Sequence, residues 1–175
     1  MPQQLVVTAI GADRTGIVSQ LARLVSDCNC NIVDSRMAIF GNEFTFIMLL
    51  SGDPVAISKV EVMLPSSAFE LDLLTMSKRT SGRSMPALSA PYIIEYTGAD
   101  RVGTLGAISS LLAEQQVNIG ALRSETLPAT DEQDAQTHTV MTVNLPLSLD
   151  PDKLKRLLQA KFTQLQLNGK FTTQS

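Results

Sequence analysis

The chain contains two copies of a short sequence that begins and ends with glycine. This repeated sequence indicates which chemistry the chain can perform. Residues 11–16 read Gly-Ala-Asp-Arg-Thr-Gly, and residues 98–103 read Gly-Ala-Asp-Arg-Val-Gly. Each copy lies between an apolar run and a helical pattern, which predicts a strand-to-helix turn. Gly11 and Gly98 would permit a tight turn and the close approach of a ligand to the backbone. Because helix N-termini favour anions, the pattern indicates binding of a small ligand that carries a carboxylate.

The other residues of the motif have two interpretations. Asp13 and Asp100 are predicted to cap the following helices, because Asp is favoured at that position. Gly16 and Gly103 would each cost about 1 kcal/mol within a first helical turn relative to alanine. Their presence in both copies therefore indicates a steric requirement, which either packing or a ligand would explain. A well-capped turn without any ligand is the alternative for the whole motif.

Polar residues near the motif could contribute to the same site. Arg14 and Arg101 could pair with carboxylates through two hydrogen bonds, although an exposed arginine is more often solvated. Asn31 and Asn118 follow the predicted helices, and an amide can both donate to and accept from a ligand. Asn is also favoured where a helix ends, so a helix C-terminal turn is an equal alternative.

Composition restricts the class of protein. Hydrophobic residues make up 44% of the chain and charged residues 18%, which is enough apolar material for a packed core. A net charge of −3 and a pI near 5.1 argue against direct nucleic-acid binding. The opening residues lack the features of a signal peptide, and no apolar run is long enough to span a bilayer. The sequence thus predicts a soluble, cytoplasmic protein without membrane contact.

Candidate catalytic or metal-binding groups do not form a recognisable constellation. Cys28 and Cys30 are close in sequence and have no His or Cys cluster nearby, which predicts buried free thiols. His138 is the only histidine, and it is predicted to be a half-exposed strand residue. Asp131, Glu132 and Asp134 lack metal-ligand spacing. We therefore expect a protein that is not an enzyme and needs no metal or organic cofactor.

An internal repeat determines the predicted domain organisation. Residues 11–36 and 98–123 align without a gap, and nine of the 26 positions are identical. The stretch 81–91 is rich in Ser, Pro and small residues, which is typical of a linker. We therefore predict two domains, residues 1–80 and 92–175, joined by a linker at 81–91.

Both halves predict the same order of elements. An apolar strand, the glycine-bounded turn and an amphipathic helix are followed by two strands, a second helix and a last strand. Asp53-Pro54 and Asp150-Pro151 each predict the start of a second helix, and Pro65 is predicted to end the first of these. Gly41-Asn42 predicts a two-residue hairpin turn. The fold class is therefore α+β, with two tandem βαββαβ domains of the ferredoxin-like type.

The turn sequence, the Asn-Ile pair and the element order resemble ACT domains over nearly the whole chain. The resemblance implies that amino acids bind where domains associate side by side, near the first turn and the start of the next strand. The positions that it implies for ligand binding are Gly11, Asp13, Arg14, Gly16, Asn31, Ile32, Gly98, Asp100, Arg101, Gly103, Asn118 and Ile119. Many relatives have proline where this chain has Thr15 and Val102, and Thr104 replaces Ile17 at the second helix start. The two sites therefore need not be equivalent.

The resemblance also implies a regulatory function. The expected effector is a small amino acid such as glycine, and the expected partner is a LysR-type transcriptional activator of glycine cleavage genes. The alternative is an ACT-type interaction module that has lost its ligand. RNA-recognition modules share the βαββαβ order, but they need aromatic residues on the central strands. In the first half only the third strand has them, Phe44 and Phe46, whereas Leu5–Ile10 and the matching strand Thr137–Leu145 have none. Free sheet edges would allow pairing between halves or between chains, including a homo-oligomer.

Overall fold

The computed structural model describes residues 2–81, 90–131 and 134–174. The chain divides into two compact units, Met1–Ser84 and Met85–Ser175. The division falls within the stretch 81–91 that the sequence assigns to a linker, and residues 82–89 of that stretch lie outside the described residues.

The first unit has the order βαββαβ. Its elements are β1 (Gln3–Ala12), α1 (Ile17–Asp27), β2 (Asn31–Phe40), β3 (Glu43–Gly52), α2 (Pro54–Glu70) and β4 (Leu73–Thr80). The strands form one antiparallel sheet in the order β2-β3-β1-β4. The mostly apolar β1 lies in the centre of this sheet, and β2 lies at an edge.

The second unit repeats this arrangement. Its elements are β5 (Tyr92–Ala99), α3 (Thr104–Glu114), β6 (Asn118–Leu127), β7 (Gln136–Asn144), α4 (Pro151–Leu165) and β8 (Asn168–Thr173). The strand order is β6-β7-β5-β8, so β5 is central and β6 is an edge strand. The predicted α+β class and the doubled βαββαβ order are confirmed.

Local signals in the sequence explain where most elements begin and end. Asp53 Oδ1 accepts a 2.8 Å hydrogen bond from the amide of Ala56, and Asp150 Oδ1 accepts one of 3.0 Å from the amide of Asp152. Both predicted Asp-Pro helix starts are therefore confirmed. Gly41 has a φ of +62° in the turn between β2 and β3, which confirms the predicted hairpin.

The prediction that Pro65 ends the second helix is wrong. α2 continues to Glu70, with Pro65 exposed on its outer side. A proline inside a helix removes one backbone hydrogen bond and crowds the preceding turn. Leu64 and Ala68, on either side of it in the helix, are both buried in the first core. Their burial favours continuation of the helix through the proline.

Alternation along the strands separates a buried face of each sheet from an uncovered face. In β1 the side chains of Leu5, Val7 and Ala9 are completely buried, whereas Ile10 is 40% exposed. Phe44 and Phe46 also belong to the first core, so they are not available to stack on RNA bases. None of the helices in the described part of the chain is long and apolar enough to cross a membrane.

Candidate functional site

The turns after β1 and β5 share one backbone conformation. Gly16 has a φ of +88° and Gly103 has a φ of +89°, in the left-handed region that favours glycine. A β-carbon at either position would meet no described atom within 4 Å. The backbone conformation therefore explains both glycines, packing against the protein does not, and the space beside each turn is open.

The predicted capping role of Asp13 and Asp100 is wrong. The residues immediately before α1 and α3 are Gly16 and Gly103, and among the described residues no side chain caps either helix. Each Asp lies three residues before its glycine, too early in the chain to reach the second or third helical amide. Both Asp side chains are exposed, and Asp100 Oδ2 accepts a 3.3 Å hydrogen bond from the Thr126 hydroxyl. The helix N-termini thus remain uncapped by side chains.

Gly11 and Gly98 lie within strands rather than in turns. A β-carbon on Gly11 would lie 2.6 Å from Leu73 Cδ2 and 2.8 Å from the carbonyl oxygen of Asp72. At Gly98 the nearest atom would be Leu167 Cδ2, also at 2.6 Å. These glycines therefore allow the last strand of each sheet to begin against the central strand. The predicted tight turn and close ligand approach do not explain them.

Arg14 and Arg101 make equivalent contacts in the two units, and neither pairs with a carboxylate among the described residues. Arg14 Nη2 donates to the carbonyl oxygen of Leu71 at 2.7 Å. Arg101 Nη2 donates to Gln166 Oε1, also at 2.7 Å. Each arginine thus joins its strand-to-helix turn to the turn that precedes the last strand.

The Asn-Ile pairs lie at the opposite end of each sheet from the glycine turns. Asn31 begins β2 and pairs with Ser51 on β3. Ala12, at the end of β1, pairs with Glu43, which lies eight residues before Ser51 on the same strand. At about 3.4 Å per residue, roughly 27 Å separate Asn31 from the end of β1. Asn118 begins β6 in the same way. Within one unit, the structure therefore does not bring the two groups of predicted site residues together.

The alternative role of the asparagines as helix ends is also not observed. The left-handed residues after α1 and α3 are Asn29 and Gln116, with φ of +58° and +57°. Ile32 and Ile119 are half-buried and pack against the cores of their units. Packing accounts for the two isoleucines.

Five hydroxyl side chains lie beside the turn of the second unit, and the sequence did not indicate them. We call this group the hydroxyl cluster; it consists of Tyr96, Ser124, Thr126, Thr137 and Thr139. Tyr96 and Ser124 both pair with Thr139 across neighbouring strands, and Thr126 pairs with Thr137. The hydroxyls of Ser124 and Thr139 are 2.7 Å apart and hydrogen-bonded. The cluster depends on strand register, which sequence periodicity does not specify.

Tyr96 is the buried end of the hydroxyl cluster. Its side chain is 1% exposed, and its hydroxyl forms no hydrogen bond with the described residues. Burial raises the pKa of the Tyr96 phenol. Ser124 and Thr126, on the edge strand β6, are exposed. The cluster therefore extends from the solvent into the second core.

His138 lies on the uncovered face of the second sheet, in a row of charged side chains. Its Nε2 is 3.0 Å from Glu95 Oε1, and its Nδ1 is 3.5 Å from Glu125 Oε1. Arg123 pairs with Glu125 at 2.9 Å, and Lys170 lies 3.8 Å from Glu95. Hydrogen bonds to Glu95 and Glu125 raise the pKa of His138. The predicted half-exposed strand position is confirmed at 30% side-chain exposure, but the sequence did not reveal the carboxylate neighbours.

The two cysteines are buried free thiols, as predicted. Burial raises the pKa of both thiols, which disfavours the reactive thiolate. Across residues 2–81, 90–131 and 134–174, no group of three His, Cys, Asp or Glu side chains is arranged to hold a metal ion.

Comparisons with known proteins identify the family. The ACT domain family model matches residues 3–78. The glycine cleavage system transcriptional repressor of Escherichia coli (strain K12) is 43% identical over 165 residues, covering 94% of this chain and 87% of the relative. The chain belongs to the ACT-domain family of glycine cleavage system transcriptional repressors. It is therefore a regulatory ACT protein, and the resemblance of its turn sequences to ACT domains is confirmed.

Solved structures agree with this membership. A crystal structure provisionally assigned to a glycine cleavage system transcriptional repressor is 32% identical, with a TM-score of 0.78, and the match covers 100% of this chain and 99% of that one. A protein of unknown function from Galdieria sulphuraria is 25% identical, with a TM-score of 0.80 over both full chains. Both matches extend over the two units of this chain.

Proposed function

We propose that this chain is a non-catalytic cytoplasmic regulator that represses transcription of glycine cleavage genes by binding a LysR-type activator protein, in response to glycine or a similar small amino acid. The observation that carries the proposal is the 43% identity with a repressor of that system over 94% of the chain. A net charge of −3 argues against direct DNA binding by this chain, so the effect on transcription would pass through a protein.

The geometry of the turns supports a role for an amino acid. The N-termini of α1 and α3 lack a side-chain cap among the described residues, and the space beside Gly16 and Gly103 is open. Backbone amides at a helix start favour the carboxylate of such a ligand. The ligand would regulate the protein only by binding one state of it more tightly than another.

A site that combines a glycine turn with an asparagine would need a second ACT domain. The end of β2 pairs with Glu43, which also pairs with Ala12 before the turn. If the β2 edges of two copies of the chain paired antiparallel, the start of one β2 would lie beside the turn of the other copy. A homo-oligomer of this kind would therefore bring together the two groups of residues that one domain keeps apart.

The proposal is tested by transcription in vitro from a glycine cleavage promoter with purified RNA polymerase and LysR-type activator. We expect the chain to lower transcript yield in proportion to its concentration, and glycine to change the extent of repression. A promoter that does not need the activator serves as the control, and its transcript should not change. Equal yields with and without the chain would contradict the proposal. Repression that no amino acid alters would favour the alternative of an interaction module without a ligand.

A further inference from the structure

One block of equivalent positions has opposite chemistry in the two units. Strand pairing shows which positions of the two units are equivalent. Ala9 of the first unit pairs with Phe46, and Tyr96, at the same place on the central strand of the second unit, pairs with Thr139. The positions of the hydroxyl cluster correspond in the first unit to Ala9, Met37, Ile39, Phe44 and Phe46. Five apolar side chains in the first unit thus stand where the second unit has five hydroxyls.

The five apolar side chains offer no hydrogen-bonding group beside the first turn. Phe44 and Phe46 are 1% and 5% exposed, and their ring centroids lie 6.0 Å apart. Met37 and Ile39 present apolar surface on the edge strand. Placing a carboxylate or an ammonium group against such surface removes water without supplying a replacement hydrogen bond. The first unit is therefore poorly suited to bind a charged amino acid here.

The hydroxyl cluster has the opposite property. Thr126 is hydrogen-bonded to Asp100 in the turn, and Ser124 is hydrogen-bonded to the buried Thr139. Behind them, Tyr96 keeps a buried hydroxyl without a partner among the described residues. A buried polar group without a hydrogen bond lowers stability, and such groups are rare unless another role retains them. The unpaired Tyr96 hydroxyl is therefore a second observation, besides the uncapped helix start, that indicates binding of polar groups in this region.

We infer that the second ACT domain, and not the first, receives the amino-acid effector, at the hydroxyl cluster beside the turn that precedes α3. This inference rests on the proposed function, because it assigns the effector of that function to one domain. Ser124, Thr126 and Asp100 are the contact residues, since they are exposed. Thr139 is a positioning residue that orients the Ser124 hydroxyl.

The chemistry of these groups fits a zwitterion. The carboxylate of Asp100 accepts hydrogen bonds from an ammonium group. Because Thr139 can donate to the Ser124 oxygen, the Ser124 hydroxyl is able to donate to a carboxylate, which the N-terminus of α3 also favours, while Thr126 donates to Asp100 and holds it beside the ligand. A ligand with both charges on one small carbon frame therefore matches the site better than a simple anion does. Comparing the binding of glycine with that of acetate distinguishes these two classes of ligand.

The test is calorimetric titration of the full chain and three single variants with glycine, with acetate as the comparison ligand. Ser124→Ala removes an exposed hydroxyl, and Thr139→Val removes the buried one with little change of shape. Thr142→Val is the matched control, because Thr142 lies on β7 but on the opposite face of the sheet, paired with Ile93. Circular dichroism confirms that each variant is folded, and the exposed Ser124→Ala keeps the test valid if Thr139→Val does not fold.

We expect glycine to bind the wild-type chain more tightly than acetate does, and Ser124→Ala and Thr139→Val each to weaken glycine binding about fivefold to tenfold, as loss of one hydrogen bond implies. Thr142→Val should bind glycine as the wild type does. If wild type and both cluster variants bind glycine equally well, the site assignment is overturned while amino-acid sensing stands. If the wild type binds neither glycine nor any other small amino acid at millimolar concentration, sensing itself is overturned, and the site assignment with it.

Discussion

Arg14 donates a 2.7 Å hydrogen bond from Nη2 to the carbonyl oxygen of Leu71, and so joins the first strand-to-helix turn to the end of α2. Leu71 follows the last helical residue, and its carbonyl would otherwise be one of the unpaired groups at a helix end. In the second unit Arg101 reaches the same region but bonds the side chain of Gln166. The backbone acceptor in the first unit gives that turn the more rigid anchor.

We expect Arg14→Ala to lower the free energy of unfolding of the first domain by about 1 kcal/mol, because one charged donor to a backbone carbonyl is lost. Arg101→Ala should lower the free energy of unfolding by less, because the Arg101 and Gln166 side chains both lose conformational freedom when they form their hydrogen bond. Urea unfolding of each variant measures the difference, with the exposed Arg23→Ala on α1 as the control. Equal losses for Arg14→Ala and Arg23→Ala would show that the bond to Leu71 contributes nothing.

Gly16→Ala should lower the free energy of unfolding by about 1–2 kcal/mol, because alanine is strained at a φ of +88°. Gly106→Ala is the matched control, since Gly106 lies within α3, has no left-handed conformation and has open space around its β-carbon position. There alanine should raise stability by up to about 1 kcal/mol. Opposite signs in thermal unfolding would confirm the account, whereas a stabilising Gly16→Ala would contradict the conformational reason for this glycine.

Tyr96→Phe should leave the free energy of unfolding unchanged or raise it by about 1 kcal/mol, because it removes a buried hydroxyl that lacks a hydrogen bond. The ring, which lies 5.9 Å from that of Phe162, keeps its packing. Tyr92→Phe provides the comparison, since Tyr92 is only half-buried, against Phe171. A clear loss of stability in Tyr96→Phe, measured by urea unfolding, would mean that the hydroxyl is satisfied in solution.

His138 should titrate above its ordinary pKa, because Glu95 and Glu125 both accept from its ring. A raised folded-state pKa means that the protonated ring stabilises the fold below the unfolded value of about 6.5 and that this contribution is lost as pH rises through the folded value. As the only histidine, it gives a single titrating imidazole signal in NMR. A His138 pKa at or below that of an unfolded peptide would contradict its contacts with Glu95 and Glu125.

The contribution of His138 to stability can be isolated with His138→Gln. The stability difference between this variant and the wild type should be largest at acidic pH, where the ring is charged, and should disappear above the folded-state pKa. A hydrogen bond from His138 lowers the pKa of Glu95, and hydrogen bonds from Arg123 and His138 lower the pKa of Glu125, so both carboxylates remain ionised over most of this range. A difference that does not vary with pH would show that the ion pairs contribute nothing.

The fold was predictable from the sequence because its signals are local and occur twice. The repeated glycine motif, the helical periodicities and the Asp-Pro pairs each specify a short element, and their order defines the βαββαβ unit. The sequence misplaced the end of α2, because burial of Leu64 and Ala68 outweighed the local effect of Pro65. It misassigned Asp13 and Asp100, because a left-handed glycine moved each helix start three residues along the chain.

The candidate site was less predictable, because it depends on which residues strand pairing brings together. Asn31 and Asp13 are close in sequence to the same helix, yet the register places them at opposite ends of the sheet. Tyr96, Ser124 and Thr139 are far apart in sequence and have no shared motif, but they are neighbours across β5, β7 and β6. Periodicity identifies the face of a strand but does not align one strand with the next.

The most direct test of the central claim is the affinity of the full chain for the LysR-type activator that we propose as its partner, measured by calorimetry without glycine and with saturating glycine. The proposed regulator predicts that the two dissociation constants differ by about fivefold or more, and that the activator changes the affinity for glycine by the same factor. Tight binding of the activator with identical constants in both conditions would contradict regulation by glycine, and no binding in either condition would contradict the proposed partner.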